Sequence, residues 1–143
     1  MGRPDAGRHA AHAARALLGI ALALLLTSTL SAGSSYEVKD KNQIYYGDPD
    51  SFSKPAVLTA STVFDSIKEY KEIKDRKIKP DDPDYWILLN RANKRFYKAV
   101  KKTAEDKSYD LMGESGSIEA KDGAALPDAT SDVVAAVDNT GDA

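Results

Sequence analysis

Cysteine is absent from the 143 residues, and the two histidines, His9 and His12, both fall near the amino end. The first absence excludes a disulfide scaffold, a thiolate metal site and a thiol nucleophile. No apolar run approaches the roughly 20 residues that span a bilayer; the run ALLGIALALLL at 16–26 has eleven. Acids and bases nearly balance, and a net charge of −2 gives no overall pull toward nucleic acid. What is left is the composition of one small, polar domain.

The short apolar run comes after Arg3, Arg8 and Arg15 and precedes a small-residue stretch. Basic, apolar and small segments in that order predict a cleaved export signal over 1–33 and a periplasmic or otherwise exported protein. The remaining 110 residues, from Ser34, keep 17 bases and 21 acids, a net of −4, and contain neither His nor Cys. Ser-His-Asp and Cys-His catalysis are then excluded, and so is a zinc site of the usual ligands. The string GESGS at 113–117 departs from a nucleophile elbow in its last position. Chemistry by carboxylate, Lys or Tyr stays open, but so short a chain has little core in which to form a pocket. The expectation is a non-enzyme without cofactor or metal.

Residues 34–54 read as an extended segment whose one strand-like patch is Ile44, Tyr45 and Tyr46, closed by the turn signal Gly47-Asp48-Pro49-Asp50. A single domain is expected over 55–143. Ala56, Val57 and Leu58 suggest a short buried strand, and Thr59, Ser61 and Thr62 offer caps for a helix after it. Ala60, Val63, Ile67 and Tyr70 then alternate at spacings of 3 and 4, a coiled-coil-like seam that runs on into the polar Lys74 and Lys77. The KPDDPD sequence at 79–84 breaks the helix, with Asp82 as the next cap and Pro83 at the first helical position.

The second helix is expected from Asp84 to about Lys107. Tyr85, Leu88, Leu89, Ala92, Phe96, Ala99, Val100 and Thr103 form its apolar stripe. Arg91, Lys94, Arg95, Lys98, Lys101 and Lys102 avoid that stripe, with no acid between Tyr85 and Thr103. Two helices joined by a short turn run antiparallel, so 61–107 reads as a hairpin arm. A second strand is expected at 109–112, an aliphatic position at Ile118, and a capped helix over 128–137. The fold class is α+β: a helical hairpin flanked by short strands, plus a short C-terminal helix. So few strands make a weak sheet alone, which favours an oligomeric β body.

The basic stripe admits phosphate contacts with Trp86, Phe96 and Tyr97 stacking, contact with anionic lipid, or simple solvation. Export argues against nucleic acid. The apolar stripe is needed for packing, which leaves only indirect membrane contact. Trp86 and Tyr97 lie off the main stripe and are candidate aromatic contacts, read first as padding for the hairpin or a subunit contact and otherwise as exposed for partner binding. The Asp clusters at 48–50 and 81–84 lack EF-hand spacing and read as turns and caps.

Three strings together resemble the Skp/OmpH family of periplasmic chaperones. PAVLTASTVF at 55–64 is similar to the family's first strand running into its arm. AVKKTAEDKSYDL at 99–111 is similar to its end-of-arm pattern A-V/I-K-K-x-A-x-x-x-G-Y-D-L, with Ser117 and Ile118 as the small–aliphatic pair after it. DATSDVV at 128–134 is similar to its closing helix start. The resemblance spans about 55–140 and implies a homotrimer whose strands build a common body. It implies an ATP-independent holdase for unfolded envelope or outer-membrane proteins. Arg91, Lys94, Arg95, Lys98, Lys101 and Lys102 would attract the client. The hairpin is much shorter than the family's arms, and 34–54 is extra. The alternative reading is a non-catalytic structural or adaptor protein of the cell envelope on the same trimeric body.

Overall fold

The computed structural model describes residues 35–140, and the export segment expected at 1–33 lies outside them. In chain order the elements are β1 (Tyr36–Val38), a 3-10 turn (Lys41–Gln43), β2 (Ile44–Gly47), β3 (Pro55–Leu58), α1 (Ala60–Ser66), α2 (Lys68–Asp75), α3 (Pro83–Lys107), β4 (Leu111–Glu114), β5 (Ile118–Ala120) and α4 (Thr130–Asn139). The class is α+β, with four α-helices and two small sheets among the described residues.

β4 is the middle strand of the larger sheet, antiparallel to β2 and parallel to β3. Parallel neighbours need a long crossover, and α1, α2 and α3 supply it. The outer edge of β3 is closed as well: Val57 donates its N–H to the Pro127 carbonyl, and Ala129 donates to the Val57 carbonyl. β1 pairs with β5 in a separate two-stranded ribbon. The segment 34–54 therefore contributes a strand to each sheet, including the patch at Ile44, Tyr45 and Tyr46.

β2 slips register between Ile44 and Tyr46, and the bulge at Tyr45 turns that side chain toward α3. Its ring meets Phe96 edge-on at 5.1 Å. At the end of β2, a Cβ on Gly47 would lie 2.0 Å from the Asp110 carbonyl oxygen, and its φ is +89°. Only glycine fits there.

α3 begins as the sequence predicts. Asp82 accepts the Asp84 N–H at 2.9 Å, and Pro83 opens the first turn. Leu88, Ala92, Phe96, Ala99, Val100 and Thr103 are buried along the expected stripe, and Tyr85 and Leu89 are half-buried. Phe64 of α1 stacks on Phe96 at 4.8 Å. Val133, Ala136 and Val137 of α4 belong to the same core.

The first half of the hairpin differs from the expectation of one continuous coiled-coil helix. The chain stops being helical at Ile67, whose ψ of 126° is extended, and restarts as α2. The Ser66 hydroxyl donates to the Val63 carbonyl at 2.6 Å, competing with the helical ladder at that point. Ile67 stays fully buried, so the seam residue keeps its place while the helix axis changes. The interruption advances the helical phase of α2 relative to α1. Glu69 and Ile73 turn inward, and Lys74 and Lys77 are exposed. Instead of an arm made of two long helices, α3 packs against α1, α2, α4 and β2.

Both helix ends beside the turns close with a residue in the left-handed region. Lys77 has φ 52° and Ser108 has φ 58°. Ile78 donates to the Ile73 carbonyl and Tyr109 to the Ala104 carbonyl, which are six-to-one Schellman bonds. A side chain in this conformation costs about 1 kcal/mol against glycine. Ser108→Gly is therefore expected to raise stability by about 1 kcal/mol in urea unfolding, with an unchanged denaturant slope.

Asp110 ties the loop before β3 to the start of β4. Its carboxylate accepts the Lys54 N–H at 2.7 Å and both the N–H and hydroxyl of Ser53 at 2.8 Å. Burial pushes this carboxyl up, but the bonds from Lys54 and Ser53 more than offset it, so the group lies below its ordinary value. A depressed carboxyl adds stability that is complete above the unfolded pKa and is lost as pH falls through the folded one. Stability is expected to hold down to about pH 4 and decline below it. Asp110→Asn should flatten part of that decline and lower the plateau, as read by urea midpoints across the acid range.

Candidate binding face on the long helix

The stripe that α3 buries leaves an outer face about half the helix circumference wide. At 100° per residue, Trp86, Asn90, Asn93 and Tyr97 line one side of it, and Ile87, Arg91, Lys94 and Lys98 the other. Trp86, Ile87 and Tyr97 are 59%, 50% and 53% exposed, and they are the exposed large hydrophobics among the described residues. Trp86 and Tyr97 thus lie off the buried stripe, as their sequence positions predict, and they are exposed rather than padding the hairpin. Ile87 was missed, although five apolar residues in a row at 85–89 are more than one stripe can bury.

The two rings are held rather than loose. The Trp86 indole N–H donates to the Pro80 carbonyl at 2.8 Å, and its ring meets Tyr85 edge-on at 5.2 Å. Tyr97 lies edge-on to Phe96 at 5.2 Å and faces Tyr45 at 6.5 Å. It is the outer end of an aromatic series that continues through Phe96 and Phe64 to Tyr70. A side chain already ordered loses little entropy on docking a partner.

The six bases expected on this face divide into three groups. Lys101 lies 3.8 Å from Glu105 and Lys102 2.9 Å from Asp106, each one turn along the helix. Arg91, Lys94 and Lys98 are exposed and have no ionic partner among the described residues. Arg95 is the correction: its side chain is only 9% exposed and belongs to the interior. Its Nε donates to Glu69 Oε1 at 2.8 Å, and Glu69 is 8% exposed. A second guanidinium nitrogen donates to the Thr140 carbonyl at 2.7 Å, joining α3 to the end of α4. The phase shift after Ile67 brings Glu69 inward, so a charge pattern read along α3 alone had no signal for this pair.

Between α2 and α3 lies a hollow of about 560 Å³ lined by Lys68, Glu69, Glu72, Leu88, Arg91, Lys94 and Arg95. On the far side of the core, Glu114 Oε2 accepts the Tyr45 hydroxyl at 2.8 Å and the Ala60 N–H at 3.0 Å. Burial first, and then the bond to Glu114, push the Tyr45 phenol well above its ordinary value. It stays protonated, and the arrangement clasps β2 to the start of α1. No group of three or more His, Cys, Asp or Glu side chains among the described residues is placed to hold a metal ion. No helix among them is long and apolar enough to cross a membrane.

Comparison with protein-family models, curated proteins and solved structures finds no match to this chain.

Removing one partner of a buried ion pair leaves an uncompensated charge and costs about 3–5 kcal/mol. Arg95→Ala and Glu69→Ala are each expected to destabilise on that scale. Arg91→Ala, on the outer face, should change stability by less than about 0.5 kcal/mol. Thermal unfolding of the three variants checks the separation.

Proposed function

We propose that this chain is an exported, non-catalytic binding protein that engages another protein through the outer face of α3, in the manner of a cell-envelope adaptor. The observation that carries this reading is one helix face on which Trp86, Ile87 and Tyr97 are exposed beside Arg91, Lys94 and Lys98, three cations without an ionic partner among the described residues. Trp, Tyr and Arg are the side chains most enriched at binding hot spots. The fixed geometry of Trp86 and Tyr97 favours one folded partner over a range of unfolded ones.

The second reading is the ATP-independent holdase for unfolded envelope proteins on a homotrimeric Skp/OmpH-like body. It is favoured by the strings at 55–64, 99–111 and 128–134 and by the order strand, helices, strand, helix. The packing of α3 against α4 and β2 leaves it less arm to enclose a client.

The two readings separate by experiment. With a photo-crosslinking side chain in place of Tyr97 in cells, an adaptor yields one discrete adduct, and Trp86→Ala reduces it by tenfold or more, about 1.4 kcal/mol. A holdase yields many adducts, suppresses aggregation of an unfolded barrel protein, and sizes at three times the mass of its subunit. The absence of any adduct overturns both.

A further inference from the structure

We propose that the partner of α3 is a second copy of this chain, docked along the first turns of the helix in an antiparallel, two-fold pair centred on Ile87. This rests on the reading of α3 as the docking helix and names what docks there. The face carries its own complement. Asp84 stands three residues before Ile87 and Arg91 four residues after it, and all three are exposed. These steps are about 4.5 Å and 6 Å along the helix axis. Arg91 has no ionic partner among the described residues. Asp84 lies 3.7 Å from Arg76, whose hydrogen bond goes to Glu72 on its own helix. Acid, aliphatic and base in that order fit their own reversal. A two-fold contact sets the same patch against itself end for end. Ile87 then meets the partner's Ile87, and Asp84 meets the partner's Arg91 once on each side of the axis.

Charge selects this register. A parallel pair sets each charge opposite its like, at a cost. An antiparallel pair centred further along α3 brings Arg91, Lys94 and Lys98 against the same three cations of the partner. Centred on Ile87, Arg91 faces an acid, and Lys94 comes level with the partner's Asp81. Asp81 is exposed in the turn ahead of α3 and has no ionic partner among the described residues. Lys77 and Lys79 lie before Pro80, whose carbonyl accepts the Trp86 indole N–H. That holds their segment on the Trp86 side of the helix, about 100° from Ile87. Trp86 and Asn90 border the apolar contact at the axis. A contact from Asp81 to Lys94 covers about four turns, or about 20 Å of helix. This is small for a stable interface, so a dimer of micromolar strength is expected.

The test is sedimentation equilibrium of the full processed chain at low salt, where the Debye length is about 10 Å or more. Twice the subunit mass is expected at tens of micromolar. Asp84→Lys and Arg91→Glu are each expected to weaken the dimer by about tenfold or more, since each sets like charges across the axis. An equal mixture of the two variants is expected to recover it, because opposite charges then face one another on both sides. A variant that merely unfolds is not rescued by mixing. The subunit mass at every concentration, a dimer that both variants leave intact, or a mixture that stays monomeric overturns the proposal. Three times the subunit mass overturns it in favour of the trimeric body. In cells, the Tyr97 adduct is expected to hold two copies of this chain. An adduct with a different protein overturns the second copy and leaves α3 as the docking helix. If no adduct forms, both readings fall.

Discussion

The structure depends on the need to cover one side of α3. Over 25 residues this helix gathers Leu88, Ala92, Phe96, Ala99 and Val100 on a single stripe, and no other element is large enough to bury it alone. α1 contributes Phe64, α2 contributes Tyr70, β2 contributes Tyr45, and α4 contributes Val133 and Val137. Phe96 is the point where these contributions meet: Phe64 stacks on it, and Tyr45 and Tyr97 approach edge-on. The small sheet gains its stability from the same arrangement. Three strands of four residues each are marginal in water, but α3 covers one face and 127–129 closes an edge.

How much of this was legible in the sequence depends on which signals are local. The cap at Asp82, the Pro83 start and the stripe of α3 are local, and they place the longest element within a residue or two. β3, β4 and α4 were legible for the same reason, from short apolar runs bounded by Pro, Gly and Asp. The interruption at Ile67 was not. A seam at 3 and 4 spacing reports only which residues are buried, and Ile67 is buried with or without a helix through it. The bend is fixed by Phe64 reaching Phe96 and by Ser66 bonding backward, neither of which periodicity records. The burial of Arg95 was hidden by the same event, since its partner Glu69 faces inward only after the phase has advanced. Trp86 and Tyr97 were legible as off-stripe aromatics, and the hollow between α2 and α3 was not, because it exists only between two helices.

Charge is distributed with the same economy. Residues 61–107 carry a net of +4 and residues 108–143 a net of −7, and the fold brings parts of the two together. Lys107 lies 3.2 Å from Asp132, and Arg95 holds the Thr140 carbonyl, so α4 is fastened to α3 at two levels. Lys54 donates to the Lys107 carbonyl and sits over the Tyr109 ring, using a third cation at the end of α3. Lys54 and Lys107 stand at the carboxyl end of the long helix, where cations suit the dipole.

None of these contacts reaches the outer face of its middle, and that contrast bears on function. Arg91, Lys94 and Lys98 succeed one another at spacings of three and four, where like charges repel by a few tenths of a kcal/mol per pair. The chain has acids to spare, yet none stands between Tyr85 and Thr103. Beside these cations are Trp86, Ile87 and Tyr97, whose exposure leaves apolar area in water. Each feature alone is ordinary on a surface. Together on one face, like-sign charge and exposed apolar area are both relieved when a partner covers them, and that is the physical ground on which the proposed docking at α3 rests.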